Sequence, residues 1–219
     1  MSRIQLLAGA SAALNLGTAL AVLIAVFTRF PTVEGDGNRF YSGAKTFRYF
    51  TTDSNLFAAL ACLILTPFSL RIAITGAGTL PAWAQTLKYT AVCAVTLTLL
   101  TVLFFLAPTQ GFDKMFGGAN LWLHLICPLV CILSFLFFES RERLDLWVTF
   151  PALVPILLYS AVYLVMVVVV GEDRGGWKDF YGFNRGGKWY LALPLMLGTA
   201  YLIALGQWAL SNLAWRWFA

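Results

Sequence analysis

With 219 residues, 60% of them hydrophobic and only 11% charged, the chain falls well short of the quarter or so of charged residues usual in soluble domains. That balance excludes a soluble enzyme. The net charge of +5 comes with no nucleic-acid motif, and suits contact with anionic lipid or an anionic substrate.

Six apolar runs reach the ~20 residues needed to cross a bilayer. They cover approximately 5–28, 50–72, 83–107, 120–138, 146–170 and 189–213. The spacing predicts an all-α integral membrane protein, a six-transmembrane-helix bundle forming a single domain over 1–219, with no room for a soluble one.

The first run resembles a signal peptide at its start, but its apolar stretch is longer than a signal core and is expected to stay as a helix. Asn15 lies near its middle, and Gly9, Ala13 and Gly17 offer a small-residue packing face. Loop 29–49 is broken by Pro31, Gly35, Gly37 and Gly43 and carries Arg29, Arg39, Lys45 and Arg48.

The second run opens with five consecutive polar residues, Thr51-Thr52-Asp53-Ser54-Asn55. Burying such groups without partners costs ~1–3 kcal/mol for each neutral one, so each needs a partner, water or a role. Helical spacing puts Thr51, Ser54, Asn55 and Ala58 on one face. In the third run, Thr90, Thr96, Thr98 and Thr101 are expected to bond back to their own helix.

The fourth run holds the only histidine, His124, on a face with Asn120, Cys127, Pro128 and Cys131. A polar turn, Glu139-Ser140-Arg141-Glu142-Arg143, precedes the fifth run with its Pro151, Pro155, Tyr159, Ser160 and Tyr163. Loop 171–188 is rich in glycine, aromatic and basic residues. The sixth run ends in Trp208, Trp215 and Trp217, an expected interfacial belt. The four cysteines all fall within helices and read as packing residues with no disulfide. With a single histidine, no metal or other cofactor is expected.

Threading the runs through a bilayer brings polar groups together. The second and fourth helices both start on the side opposite the termini. His124 lies about one turn down, roughly 6 Å at 1.5 Å per residue. The fifth helix brings Tyr163 to a similar depth. Plainer roles exist for each residue. Thr51 or Thr52 could cap the helix, and Asp53, pointing away from Thr51, suits the helix dipole. His124 could be a core group bonded to a carbonyl. Ionisable groups within a membrane are nevertheless functional by default. An imidazole beside hydroxyls is the chemistry of acyl transfer: the ring takes a proton, the hydroxyl attacks, and Asn55 or Tyr163 could donate to an oxyanion.

Tyr49-Phe50-Thr51-Thr52-Asp53-Ser54-Asn55-Leu56 and His124-Leu125-Ile126-Cys127-Pro128, with Tyr181-Gly182-Phe183 before the last helix, resemble the androgen-induced protein family, which includes the androgen-dependent TFPI-regulating protein and bacterial members. The resemblance implies a membrane threonine hydrolase of fatty acyl esters, with fatty acid esters of hydroxy fatty acids as the eukaryotic substrates. Carried over, Thr51 would be the nucleophile and His124 its partner. The Thr51-Thr52 doublet leaves Thr52 as an alternative, and the fifth helix matches only loosely.

The combined expectation is a lipid ester entering laterally. Thr51 and His124 act on it, Asn55, Ser54 and Tyr163 position it, and Arg48, Lys178 and Arg185 anchor a carboxylate. Two other classes stay open. A lipid or small-solute carrier would continue the polar path through Asn15, Ser160 and Thr98, and a structural subunit would have no cavity. The short loops on the side of the termini place that side in the cytoplasm of a bacterial inner membrane.

Overall fold

Each apolar run becomes a helix in the computed structural model, which describes residues 2–28 and 43–216. Arg29, Arg39 and Trp217 lie outside the described residues. The spans are α1 (Arg3–Phe27), α2 (Phe50–Thr75), α3 (Ala82–Gln110), α4 (Ala119–Glu139), α5 (Leu146–Val170) and α6 (Trp189–Trp215). Each is long and apolar enough to cross a membrane, so this is a multi-pass, all-α membrane protein. No strand occurs among the described residues.

The helix boundaries follow local chemistry. Ser2 caps α1 in a capping box with Gln5: the Gln5 N–H donates to the Ser2 hydroxyl and the Ser2 N–H to the Gln5 side chain. Gly76, at φ +70°, closes α2 in the left-handed conformation. π-Helical segments occur once in α3 (Val102–Leu106), twice in α4 (Trp122–Ile126 and Phe135–Glu139) and once in α5 (Val165–Val170). A proline follows the first two, Pro108 and Pro128, two residues beyond the end of each. Proline has no N–H for the ordinary i−4 bond and its ring crowds that carbonyl. A widened turn just before it relieves the conflict, and such turns gather at functional positions. His124 sits inside the second one.

α3 is the central helix. Tyr89, Val92, Val95 and Leu99 are buried along it, and it packs against α2, α4, α5 and α6, reaching α1 through the Lys88 side chain. α1 and α2 pack tightly together through small side chains such as Ala8, Ala12, Ala58 and Ala61. α5 and α6 leave most of their surface outward: Leu158, Val162, Leu195 and Leu202 are more than half exposed, as lipid-facing residues are.

An ionic network lies in the half of the bundle near the termini. Lys88 of α3 donates to Asn15 Oδ1 at 2.6 Å and to Cys62 Sγ at 2.8 Å, with Glu139 Oε2 at 4.0 Å. The other oxygen, Glu139 Oε1, accepts from Ser11, Asn15 and Ser134 at 2.7–3.0 Å. Four helices thus meet at one buried ion pair. Glu139, expected in the polar turn, instead ends α4 with its side chain inside the bundle, and Lys88 is a functional group the sequence reading missed.

Candidate active site

Where α2 begins, its side chains divide the polar run among different neighbours. The N-cap is Tyr49, with no side-chain hydrogen bond, so neither threonine caps the helix. The Thr52 hydroxyl is fully buried against Thr46 Oγ1 at 3.1 Å, which rules it out as a cavity-facing nucleophile. Ser54 bonds Thr98 Oγ1 at 2.8 Å and donates to the Thr51 carbonyl; it faces α3.

Thr51 is different. Thr66 and Thr96, deeper in their helices, give their hydroxyl to the carbonyl four residues back. In the first turn of α2 that carbonyl is not part of the helix. Its hydroxyl consequently makes no hydrogen bond among the described residues, and it faces a cavity of about 250 Å³. The same cavity is lined by His124, with Met115, Gln110 and Lys114, and by Lys178, Asp179 and Tyr181 from the α5–α6 loop.

His124 is buried, and its Nδ1 lies 2.6 Å from the Met115 carbonyl. A carbonyl only accepts, so Nδ1 carries the proton. In the neutral ring Nε2 then holds the lone pair that a general base needs. The expected bond from a core histidine to a carbonyl is therefore present, and it sets the tautomer of a ring lining a cavity. No hydrogen bond joins Thr51 to His124; reacting pairs are often looser before substrate binds.

Asn55 ties the two halves together. Its side-chain N–H groups donate to the Thr51 carbonyl at 2.8 Å and to the Leu123 carbonyl of α4 at 2.9 Å. With both hydrogens committed, it cannot donate to an oxyanion as the sequence suggested. It fixes instead the separation of Thr51 from the residue preceding His124. Tyr163 is likewise spent elsewhere: its hydroxyl donates to Asp179 at 2.9 Å and accepts the Tyr181 N–H.

A donor that the sequence reading missed is the Thr51 N–H, one of the helix-start groups with no partner one turn back. It makes no backbone hydrogen bond among the described residues. The positive end of the α2 dipole reinforces it as a place for negative charge.

A second cavity, of about 190 Å³ and mostly apolar, adjoins the first, with Thr51, Leu106 and Tyr181 lining both. Its walls come from α3, α5 and α6. Half-exposed Phe105 and partly exposed Met196 stand at its outer side, so it looks towards lipid between the helices.

Loop 171–188 covers both cavities. Asp179 organises it, accepting from Tyr163, Phe183 N and Asn184 N. Tyr181 pins it to α2 by accepting the Phe50 N–H at 3.2 Å. Of the three expected anchors, only Lys178 reaches the His124 cavity, with Lys114 beside it. Arg185 is exposed on a short turn, and Arg48 lies outside the cavity walls, its carbonyl taken by Tyr159.

Beneath the site, Ala19, Val22, Ala58, Ala59, Val92, Val95 and Cys127 form an apolar layer of the core. Asn15, below that layer, belongs to the Lys88 network, and Ser160 bonds back to Ile156. The four cysteines are free and buried, as expected. Trp208, expected in the interfacial belt, instead donates its indole N–H to the Leu144 carbonyl.

No family model, curated protein or solved structure matches the chain. Fold and site together define a class: a six-helix integral membrane protein with a polar cavity and an apolar, lipid-facing one that meet at a threonine.

Proposed function

We propose that the protein is a membrane hydrolase of fatty acyl esters, with Thr51 as nucleophile and His124 as general base. The observation that carries this reading is the pairing at one cavity of a threonine hydroxyl that makes no hydrogen bond among the described residues with a histidine whose Nδ1 is already committed. The adjoining apolar cavity supports an acyl chain as the part of the substrate lying against Thr51.

In this scheme His124 Nε2 takes the Thr51 hydroxyl proton as the oxygen attacks the ester carbonyl carbon. The developing oxyanion lies against the Thr51 N–H. The C–O bond to the alcohol breaks, and the alcohol leaves with the proton held by His124. Water then gives a proton to the ring and attacks the acyl-threonine, releasing the acid and restoring the hydroxyl. Lys114 and Lys178 favour a substrate with an anionic end, such as a carboxylate. The family resemblance of the Thr51 and His124 motifs points to the same chemistry. The short loops on the side of the termini support a cytoplasmic side for both termini, in a bacterial inner membrane.

The test is hydrolysis of a fatty acyl ester by purified protein, with fluorophosphonate labelling mapped by mass spectrometry. Label on Thr51, absent from Thr51→Ala and reduced in His124→Ala, is the expected result. Label on Thr52, or equal turnover by all variants, would overturn the assignment. Saturable binding of the ester without turnover by the folded wild type would favour a carrier instead.

A further inference from the structure

A third cavity, of about 310 Å³, opens on the other face of α2, between it and α5. In a helix, Asp53 lies two residues and therefore about 200° from Thr51, so it faces this cavity and not the active one. Its walls are largely aromatic: Phe47, Phe50, Phe57, Tyr159 and Trp177. Phe50 and Tyr159 pack with ring centroids 5.2 Å apart. The rim is formed by Leu158 and Val162, which are 66% and 52% exposed, so the opening faces lipid at the level where α2 begins.

The Asp53 carboxylate makes no hydrogen bond or ion pair among the described residues. An ionised carboxylate half-buried in an apolar groove is costly unless a positive charge faces it; without one, burial favours the protonated form, and a bound cation favours the charged one. The helix dipole offsets only part of that cost, typically ~0.3–1 kcal/mol. Aromatic walls select the kind of cation. Ring faces attract weakly hydrated, diffuse cations, and quaternary ammonium groups are recognised in this way. A compact metal ion would instead require several oxygen ligands, whereas this cavity offers mainly ring carbons. The volume lies at the lower end of the ~300–1,000 Å³ range of small-ligand sites.

We propose that this cavity binds a quaternary ammonium group, supplied by a choline-type lipid headgroup or by a free organic cation. Asp53 provides the countercharge and the aromatic side chains the enclosing surface. The site is independent of ester hydrolysis, although Phe50 and Tyr159 also line the apolar cavity beside Thr51.

Native mass spectrometry of the full-length protein in detergent tests it, using phosphatidylcholine and phosphatidylglycerol of identical acyl chains. The wild type is expected to retain phosphatidylcholine about tenfold more strongly, the equivalent of one well-placed charge and ring contact. Asp53→Asn should remove that preference and leave phosphatidylglycerol retention unchanged. Asp53→Glu should keep it, and Trp177→Leu should weaken it. Displacement of phosphatidylcholine by tetramethylammonium chloride, but not by sodium chloride, would show that the free cation suffices. Asp53-dependent retention without displacement would assign the site to the lipid. Equal retention of the two lipids by wild type, or undiminished phosphatidylcholine retention by folded Asp53→Asn, overturns the proposal. Should Asp53→Asn fail to fold, Trp177→Leu and Asp53→Glu carry the same reading.

Discussion

At the scale of single residues, the first turn of α2 gives adjacent hydroxyls opposite fates. Thr52 satisfies its hydroxyl with Thr46, whereas Thr51 presents its own to a cavity. Under the hydrolase reading, Thr51→Ala abolishes turnover. His124→Ala lowers kcat by ~10²–10⁴-fold, the range for losing a positioned general base. Thr52→Ala retains turnover and costs about 1 kcal/mol of stability, the usual net worth of one hydrogen bond. Rate assays and thermal melts on the same preparations check all three. The polar run was visible in the sequence, as was the lone histidine opposite it. The division of labour within the run was not, because it depends on which neighbours each side chain meets. Thr46, Thr98 and the Leu123 carbonyl come from three different elements, and no spacing rule along α2 reveals them.

Among the structural elements, the α5–α6 loop governs the cavities. It turns back tightly at Gly176, where an added Cβ would collide with the carbonyls of Met166 and Gly171. Gly176→Ala therefore displaces the loop, and Tyr181→Phe removes the acceptor for the Phe50 N–H. Both variants are expected to exchange the Phe50 amide faster, about fivefold or more for the loss of ~1 kcal/mol, as read by hydrogen–deuterium exchange. Unchanged exchange in Tyr181→Phe would show that the clamp does not hold the start of α2. The sequence identified this loop as elaborate but suggested its basic residues as the functional ones. Asp179 and Tyr181 matter more to its shape. Their roles arise from contacts with Tyr163 and Phe50, which are distant in sequence. The helices were legible because ~20-residue apolar runs leave little ambiguity. Of the widened turns, Val102–Leu106 and Trp122–Ile126 were foreshadowed by Pro108 and Pro128, and Phe135–Glu139 and Val165–Val170 by no such signal.

For the bundle as a whole, the Lys88–Glu139 network joins α1, α2, α3 and α4 at fully buried groups. Removing one member leaves its partner charged and uncompensated, at a cost of ~3–5 kcal/mol. Lys88→Met and Glu139→Gln are each expected to destabilise the protein strongly. The double variant should be less destabilised than the sum of the two, a coupling that a double-mutant cycle in detergent measures directly. Additive losses would mean the two charges do not sense each other. Lys88, a lone charge inside an apolar run, is itself a signal in the sequence, but its countercharge sits 51 residues later at the edge of a turn, and only the fold brings the two together.

The apolar layer between that network and the Thr51 cavity makes the molecule two-faced with respect to the bilayer. Under the hydrolase reading, water and protons serving the imidazole come and go through one leaflet's headgroup region, so the reaction would draw nothing across the membrane and leave its electrochemical gradient untouched. In sealed vesicles, a membrane-impermeant phosphonate would then silence the protein when applied to one surface and spare it when applied to the other.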